Sequence, residues 1–261
     1  MMNLIDTHFH LDHYRNYFEI AKTITELEQY TICVTNSPGI FLSCKNLIPE
    51  TKYLKFAIGF HPQETTLGGR EIKDFMRLIS LTNYVGEIGL DYSQKSYMSK
   101  PMQLKYFEQI VEICASSNKL MTIHIRKAEK DAVRILEKYH PQKAIIHWYT
   151  GGCDDMLRLV DLGCYFSINT NMVKGSKKEN YHLLPLERIL IESDGPYTKV
   201  NNKKYTPALL KDAYEEISRF YNNPDLPRKI YYNFKKIFGF TKYLQQEQRV
   251  ACDSFALKRN A

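Results

Sequence analysis

The feature that most constrains this 261-residue chain is the alternation of short apolar runs with longer segments of helical period. Eight runs rich in β-branched residues recur, at residues 3–8, 31–35, 54–58, 84–88, 120–124, 143–147, 164–168 and 188–192. They are apolar on both sides, as parallel strands are when helices cover both faces of their sheet. The pattern predicts an α/β fold, a single (β/α)8 TIM-type barrel of parallel strands with its active site at the C-terminal mouth.

The rest of the chain fits a single domain. Segments of helical period cover residues 102–116, 128–139, 206–220 and 227–238, and no Pro/Ser-rich linker interrupts them. We therefore expect residues 1–240 to form one barrel domain. Residues 241–261 fade into polar sequence, and we expect this tail to pack loosely or to be disordered.

Composition excludes several classes of protein. The chain has neither a basic start followed by an apolar run nor a stretch of about 18 apolar residues, so no signal peptide or membrane span is expected. The six cysteines form no CxxC pair, which predicts reduced thiols in a cytoplasmic protein. A net charge of +7 is compatible with a polyanionic partner such as nucleic acid.

Metal-competent side chains fall at the ends of five predicted strands. They are His8 and His10, Glu87, His124, His147 and Asp194, and His61 ends a further strand. In a parallel barrel the C-terminal ends of all strands meet at one mouth, so these groups converge there. Singly, each has an ordinary interpretation as a hydrogen-bonded core residue or a turn residue. Burying all of them together without a cation would be costly.

The donor set suits two cations better than one. Four histidines and two carboxylates exceed the roughly four ligands of a tetrahedral ion. We expect one ion on His8, His10 and Asp194, a second on His124 and His147, and Glu87 as the bridge and a catalytic residue. Mixed nitrogen and oxygen ligation fits Zn²⁺, Mn²⁺ or Fe²⁺, and Mg²⁺ stays open. Such a centre lowers the pKa of bound water to about 7, and Asp194 is the candidate general base, with a pure ligand role as the alternative.

Six ordered motifs carry a family resemblance. They are DTHFHLD (6–12), GFHP (59–62), GEIGLDY (86–92), IHIR (123–126), IHWYTGG (146–152) and ESDGPY (192–197). With NFKKIFG (233–239), they resemble the TatD family of metal-dependent deoxyribonucleases, a family of amidohydrolase-like barrels, over residues 3–240. The resemblance implies the same six metal ligands and the hydrolysis of phosphodiesters in DNA, often by 3′-exonucleases on single strands. It also implies phosphate contacts for His61 and Arg126; an exposed ion pair is the alternative for Arg126.

Three features depart from the family pattern. Trp148 and Tyr149 follow the histidine where family members have Cys-Phe, and Trp148 is either a base-stacking residue or a packed wall residue. The first crossover (14–27) and the loop at 37–39 are unusual, and the tail is not accounted for. In these respects the chain is similar to the TatD-like nucleases of Qat anti-phage defence operons. That similarity implies sibling operon proteins as partners and phage or modified nucleic acid as the target.

Lysines are concentrated in loops that follow the predicted strands. They are Lys95 and Lys100, then Lys174, Lys177 and Lys178, then Lys199, Lys203 and Lys204. Because these loops rim one mouth, we predict an electrostatic funnel for nucleic acid, with Lys174 and Lys203 among the substrate contacts. Ordinary solvated lysines are the alternative. Lysines read backbone charge rather than bases, so little sequence preference is expected.

Two other functions fit the same residues. The first is amide or ester hydrolysis on the same two metals, for example the removal of a D-amino acid from tRNA. Many barrel amidohydrolases, however, bridge their metals with a modified lysine where this chain has Glu87. The second is a subunit that grips nucleic acid without turnover. The complete set of ligands and base argues against it, since a subunit that has lost catalysis commonly loses one of them.

Overall fold

The computed structural model describes residues 3–64, 68–93 and 97–238. Within these ranges, nine parallel strands form the interior: β1 (Ile5–Phe9), β2 (Tyr30–Cys33), β3 (Leu54–Phe56), β4 (Ile58–Phe60), β5 (Tyr84–Asp91), β6 (Leu120–Arg126), β7 (Ala144–His147), β8 (Tyr165–Ile168) and β9 (Ile189–Ile191). They occur as β1-β2-β3 and as β4 to β9, and within each set every strand pairs with its neighbour in sequence. This order confirms the predicted α/β barrel.

The nine strands occupy eight positions around the barrel because the third predicted strand is divided. Ala57 separates β3 from β4, and each half pairs with a different neighbour. Between β9 and β1, the Thr7 hydroxyl donates to the Ile191 carbonyl at 3.1 Å, and the Asp194 N–H donates to the His8 carbonyl at 2.9 Å. These bonds join the first and last strands, so two segments that carry candidate ligands are held against each other.

Helices separate most of the strands and cover the outside of the barrel. They are α1 (Tyr17–Glu26), α2 (Pro38–Leu47), α3 (Gly69–Leu78), α4 (Lys100–Ser116), α5 (Glu129–Tyr139), α6 (Cys153–Asp161), α7 (Leu210–Phe220) and α8 (Leu226–Ile237). The four predicted helical segments correspond to α4, α5, α7 and α8. The unusual loop at 37–39 is a helix start: the Ser37 side chain accepts a hydrogen bond from the Ile40 N–H at 3.3 Å, and Pro38 opens α2.

The strands and the inward faces of the helices share one apolar core. Phe9, Phe56 and Phe166 from the strands are fully buried, as are Ile24 from α1 and Leu136 from α5. Full burial of a side chain of this size contributes about 1.5–3 kcal/mol. The core therefore provides a rigid base for the polar residues at the mouth.

One element was not predicted from the sequence, and one predicted segment lies outside the described residues. A hairpin of β10 (Lys199–Val200) and β11 (Lys203–Lys204) is absent from the sequence-based prediction. Asn201 and Asn202 form its turn with φ angles of 50° and 60°, which asparagine tolerates better than most residues. The predicted tail lies outside the described residues. Within the described residues the cysteines are free thiols, and none of the helices is long and apolar enough to cross a membrane.

Candidate metal centre

The predicted metal-binding side chains converge at one end of the barrel. His8 lies in β1 and His10 directly after it, and because side chains alternate along a strand, both project to the same side. The prediction that Glu87 and His124 end their strands is wrong, since β5 continues to Asp91 and β6 to Arg126. Both residues therefore lie within their strands, below the rim of the barrel, and Glu87 is only 4% exposed.

Four donor atoms form a compact group, which we call the inner cluster: Nε2 of His8, Nε2 of His10, Oε2 of Glu87 and Oδ1 of Asp194. The two ring nitrogens lie 3.3 Å apart. Each is 3.5 Å from the Glu87 oxygen, and their distances to the Asp194 oxygen are 3.7 Å and 3.4 Å. All four side chains are buried, and Oδ1 of Asp194 has no hydrogen-bond partner.

The spacing of the inner cluster fits one cation. Donors at about 2.0–2.1 Å from a tetrahedral ion lie about 3.3–3.4 Å from one another by geometry, close to the separations that involve the two histidine nitrogens of this cluster. Two carboxylates and two imidazoles taken from water into one buried site would otherwise be strongly unfavourable. The unpartnered oxygen of Asp194 is the kind of atom that a cation would satisfy.

A second group, the outer cluster, consists of Oε1 of Glu87, Nε2 of His61 and Nδ1 of His124. The Glu87 oxygen lies 3.3 Å from the His61 nitrogen and 2.9 Å from the His124 nitrogen. Glu87 therefore provides one oxygen to each cluster, the arrangement expected of a bridging carboxylate. His61, for which the resemblance implied a phosphate contact, lies among the donor atoms.

His147 lies between the two clusters. Its ring stacks on that of His8 with 3.6 Å between centroids, and its Nε2 is 3.8 Å from Oε1 of Glu87. Donor atoms of His147, His8 and Asp194 lie within 4.8 Å of one another. The sequence-based interpretation paired His147 with His124, whose ring centroid is 6.2 Å away. The structure groups His147 more closely with the inner cluster.

Burial and charge together set the protonation of these groups. Burial alone would raise the pKa of Glu87, but the charge of His61 and hydrogen bonds from His10 and His124 hold it well below its usual range. Burial also disfavours charge on the histidines, yet their carboxylate partners raise the pKa of His10 to about 10 and that of His124 to about 9. Without a cation these two rings carry protons, which a cation would displace.

Two buried carboxylates that the sequence analysis did not single out orient the ligand rings. Glu192 accepts a hydrogen bond from Nδ1 of His147 at 2.8 Å, and Asn169 and Ser167 also donate to it. Asp91 lies 3.1 Å from Nε2 of His124. Carboxylates in this position fix the orientation of a metal-binding imidazole. Both residues are buried, and each is an acid within or directly beside an apolar run. That position in the sequence could have identified them.

The clusters lie at a cavity of about 760 Å³. Arg126 and Trp148, both predicted substrate contacts, line it, and so does Tyr197. Trp148 adopts a positive φ of 36°, a strained conformation for a bulky residue, beside the ring of the preceding histidine.

The two lysines predicted to contact substrate, Lys174 and Lys203, lie away from the cavity lining. Lys174 forms an ion pair with Glu216 at 2.8 Å, and Lys203 is exposed in the β10–β11 hairpin. Neither belongs to the described residues that line the cavity, and Lys95 lies outside the described residues. The funnel therefore stays a prediction about longer-range attraction rather than direct contact.

Comparisons with known proteins agree with this geometry. The family model for TatD-related DNases matches residues 5–239. The Deoxyribonuclease Tat-D of Schizosaccharomyces pombe is 35% identical over 119 residues, which cover 44% of this chain and 38% of that protein. The uncharacterized metal-dependent hydrolase YcfH of Escherichia coli K12 is 29% identical over 232 residues, covering 82% of this chain and 86% of that protein.

The fold has solved counterparts as well. The crystal structure of YJJV, a TatD homolog from Escherichia coli K12, matches with a TM-score of 0.79 at 17% identity, covering 90% of this chain and 97% of that one. A likeness at this identity concerns the fold, and it agrees with the barrel. Because the family model spans nearly the whole described chain, this protein belongs to the family of TatD-related DNases, which are metal-dependent hydrolases.

Proposed function

We propose that this chain hydrolyses phosphodiester bonds in DNA as an exonuclease on single strands, using two divalent cations. One observation carries the proposal: Glu87 directs one carboxylate oxygen into each of two donor clusters beside an open cavity. Two cations sharing a carboxylate form the arrangement that clamps the attacking and leaving oxygens of a phosphoryl group.

The donor atoms divide between the two ions as the clusters do. His8, His10 and Asp194, with His147 beside them, would hold the first ion, and His124 would hold the second, with Glu87 shared between the two ions. His61, whose Nε2 lies 3.3 Å from Oε1 of Glu87, would be a further ligand of the second ion or a phosphate contact. Mixed imidazole and carboxylate donors suit Zn²⁺ or Mn²⁺, and Mg²⁺ is a further candidate. When bound, such ions make water acidic enough to act as a nucleophile near neutral pH and neutralise phosphate charge.

Asp194 is the proposed general base. Its Oδ1 is buried and accepts no hydrogen bond within the described part of the chain, and its backbone N–H donates to the carbonyl of His8. The backbone of Asp194 adopts the left-handed conformation, with φ of 47°. Strained backbone of this kind is often found at functional sites. We infer that this carboxylate accepts the proton of the attacking water while the other ligand side chains hold the site in place.

Substrate contacts are proposed on the side chains that line the cavity. The exposed guanidinium of Arg126 is suited to a phosphate oxygen pair, and Trp148 to a nucleobase. Lys174 and Lys203 would add attraction at a distance. A human relative, 27% identical over 216 residues, is named 3'-5' RNA nuclease TATDN2, so RNA is the substrate to compare with DNA.

The test is a cleavage assay with end-labelled single-stranded DNA, duplex DNA and RNA under Mg²⁺, Mn²⁺ or Zn²⁺. We expect stepwise, metal-dependent shortening of single-stranded DNA that Asp194→Asn loses. The variant prepared in parallel reports any contaminating nuclease. If the cations bind but no strand is cut, the nuclease function is wrong, and an ester substrate becomes the function to test.

The cellular role is a separate proposal. By its similarity to nucleases of anti-phage operons, we infer that the enzyme acts in the cytosol on phage or modified nucleic acid together with proteins encoded beside it. Expression of the gene with its neighbouring genes, as wild type or as Asp194→Asn, followed by phage plating, tests this role. Equal plating on both strains would exclude a catalytic contribution to defence.

A further inference from the structure

One exposed aromatic ring at the mouth is firmly anchored. Tyr197 is 56% exposed, yet its hydroxyl lies 2.7 Å from Nδ1 of His13. The other ring nitrogen of His13 lies 3.3 Å from a carboxylate oxygen of Asp12. A carboxylate beside that nitrogen favours the tautomer with its proton there, in which Nδ1 accepts the hydrogen bond of the Tyr197 hydroxyl. A hydrogen bond to His13, with the Asp12 carboxylate in contact behind that ring, thus holds a residue that is mostly open to solvent.

The anchored ring lies directly beside the inner cluster. Its centroid is 5.5 Å from that of His10, with the planes nearly perpendicular. Tyr197 also lines the cavity that contains Glu87 and Asp194. Fixing an exposed side chain costs conformational entropy and gains little burial in the free protein. The anchor is accounted for if the ring must be in place before a ligand arrives.

A cation site is the competing interpretation of these residues. Donor atoms of His10, Asp12 and His13 lie within 4.8 Å of one another. One oxygen of Asp12, Oδ1, accepts no hydrogen bond from the described residues, but both ring nitrogens of His13 are in contact, with the Tyr197 hydroxyl and with the other oxygen of Asp12. Binding a cation there would break the anchor, so we assign Asp12 and His13 to holding Tyr197.

We propose that Tyr197 is a stacking platform for a nucleobase next to the phosphate that is cleaved, and that Asp12 and His13 are its positioning residues. This inference rests on the proposed phosphodiesterase function and defines its substrate as a strand with unstacked bases. Aromatic faces bind bases of any sequence, whereas duplex bases are already stacked on each other. Trp148 lines the same cavity beside His147, so aromatic rings adjoin the metal centre at two places.

The test measures binding in the Asp194→Asn background, where strands are not cut. Two fluorescein-labelled strands of equal length and charge are compared in Mg²⁺: an oligothymidylate and a strand of abasic tetrahydrofuran units. We expect the oligothymidylate to bind about 5- to 100-fold more tightly, as stacking contacts predict. Adding Tyr197→Ala should reduce this preference several-fold. Tyr232→Ala, which removes an exposed tyrosine on α8, is the matched control and should retain it.

Two milder variants guard against a folding defect. Tyr197→Phe and His13→Ala each keep the ring at position 197 but remove its hydrogen bond to His13. We expect each variant to reduce the preference for bases about two- to threefold, which corresponds to the lower range for one hydrogen bond. Both should retain the thermal midpoint of the parent. An unchanged preference in Tyr197→Ala, or an equal loss of affinity for both strands, overturns the platform.

The cleavage assay separates this inference from the proposed function. If wild-type protein cuts the oligothymidylate but its Asp194→Asn form binds both strands equally, the platform is wrong and the nuclease stands. If no strand is cut, yet Tyr197→Ala abolishes base-dependent binding, the nuclease is wrong and only the part of the inference that Tyr197 binds a nucleobase stands.

Discussion

The inner and outer clusters share one carboxylate but differ in their surroundings. In the inner cluster each side chain is at most 6% exposed, and Thr122 contacts Nδ1 of His8 at 2.8 Å, which leaves Nε2 for the cluster. In the outer cluster His124 is 18% exposed. Both of its ring nitrogens contact carboxylates, at 2.9 Å to Glu87 and 3.1 Å to Asp91.

This difference in burial and in existing contacts predicts different cation affinities for the two clusters, although their donor atoms are of the same types. The histidine nitrogens of the inner cluster already lie at the spacing of ligands around an ion from each other and close to that spacing from the two carboxylates, so we expect little movement on binding. A cation in the outer cluster must first displace the contact between His124 and Glu87. A preorganised site binds its ligand more tightly, so we expect a tightly held inner ion and an exchangeable outer ion. The surrounding protein, rather than donor identity, sets this order.

The largest expected effect comes from the residue that both clusters share. Glu87→Gln removes charge from each cluster without changing its shape, so both ions should be lost or weakened. Metal catalysis is worth several kcal/mol, and we expect a loss of activity of about 10³-fold or more. Cleavage rate and bound metal by mass spectrometry measure it. The exposed Glu112→Gln is the control, and wild-type metal content in Glu87→Gln would contradict a bridging role.

A second pair of variants separates the clusters. His10→Ala should remove the tightly held ion, and His124→Ala should leave it bound while abolishing the exchangeable one. Each should lower activity by about 10²-fold or more, because both ions act on one phosphate. Metal content after gel filtration distinguishes them. Loss of the same ion in both variants would show that the site binds its ions as one unit.

Smaller effects are expected from the orienting carboxylates. Glu192→Gln acts on His147 and should weaken the inner ion, whereas Asp91→Asn acts on His124 and should weaken the outer one. Each change should lower the affinity of its ion about 10- to 100-fold. Zn²⁺ titration against a chelating indicator resolves the two affinities. Asp154→Asn, at an exposed position, is the control; the hypothesis fails if both variants weaken one and the same ion.

The smallest effect is a release of protons. Because the pKa of His10 is about 10 and that of His124 about 9, both rings are protonated at pH 7.5 without metal. Ligands must be deprotonated, so binding should release about one proton per ion and weaken as the pH falls. Calorimetry in two buffers of different ionisation enthalpy counts these protons. Identical binding heats in both buffers would mean that no proton leaves.

Much of the site followed from pattern alone. Apolar runs of strand length alternating with helical segments predict a parallel barrel, and the barrel brings His8, Glu87, His124, His147 and Asp194 to one end. This works because a parallel barrel places every strand's C-terminal end on the same face. Local errors, such as the extension of β5 to Asp91 and the division at Ala57, did not move the residues off that face.

The sequence by itself therefore determined the barrel, the end at which chemistry occurs and the types of donor present. Tertiary structure alone decided which oxygen of Glu87 enters which cluster, that His61 lies among the donors, and that His13 anchors Tyr197 across 184 residues of chain. Strand patterns are repeated locally and can be read from a short window. Side-chain partners depend on rotamers and on packing between distant segments, which no local window contains.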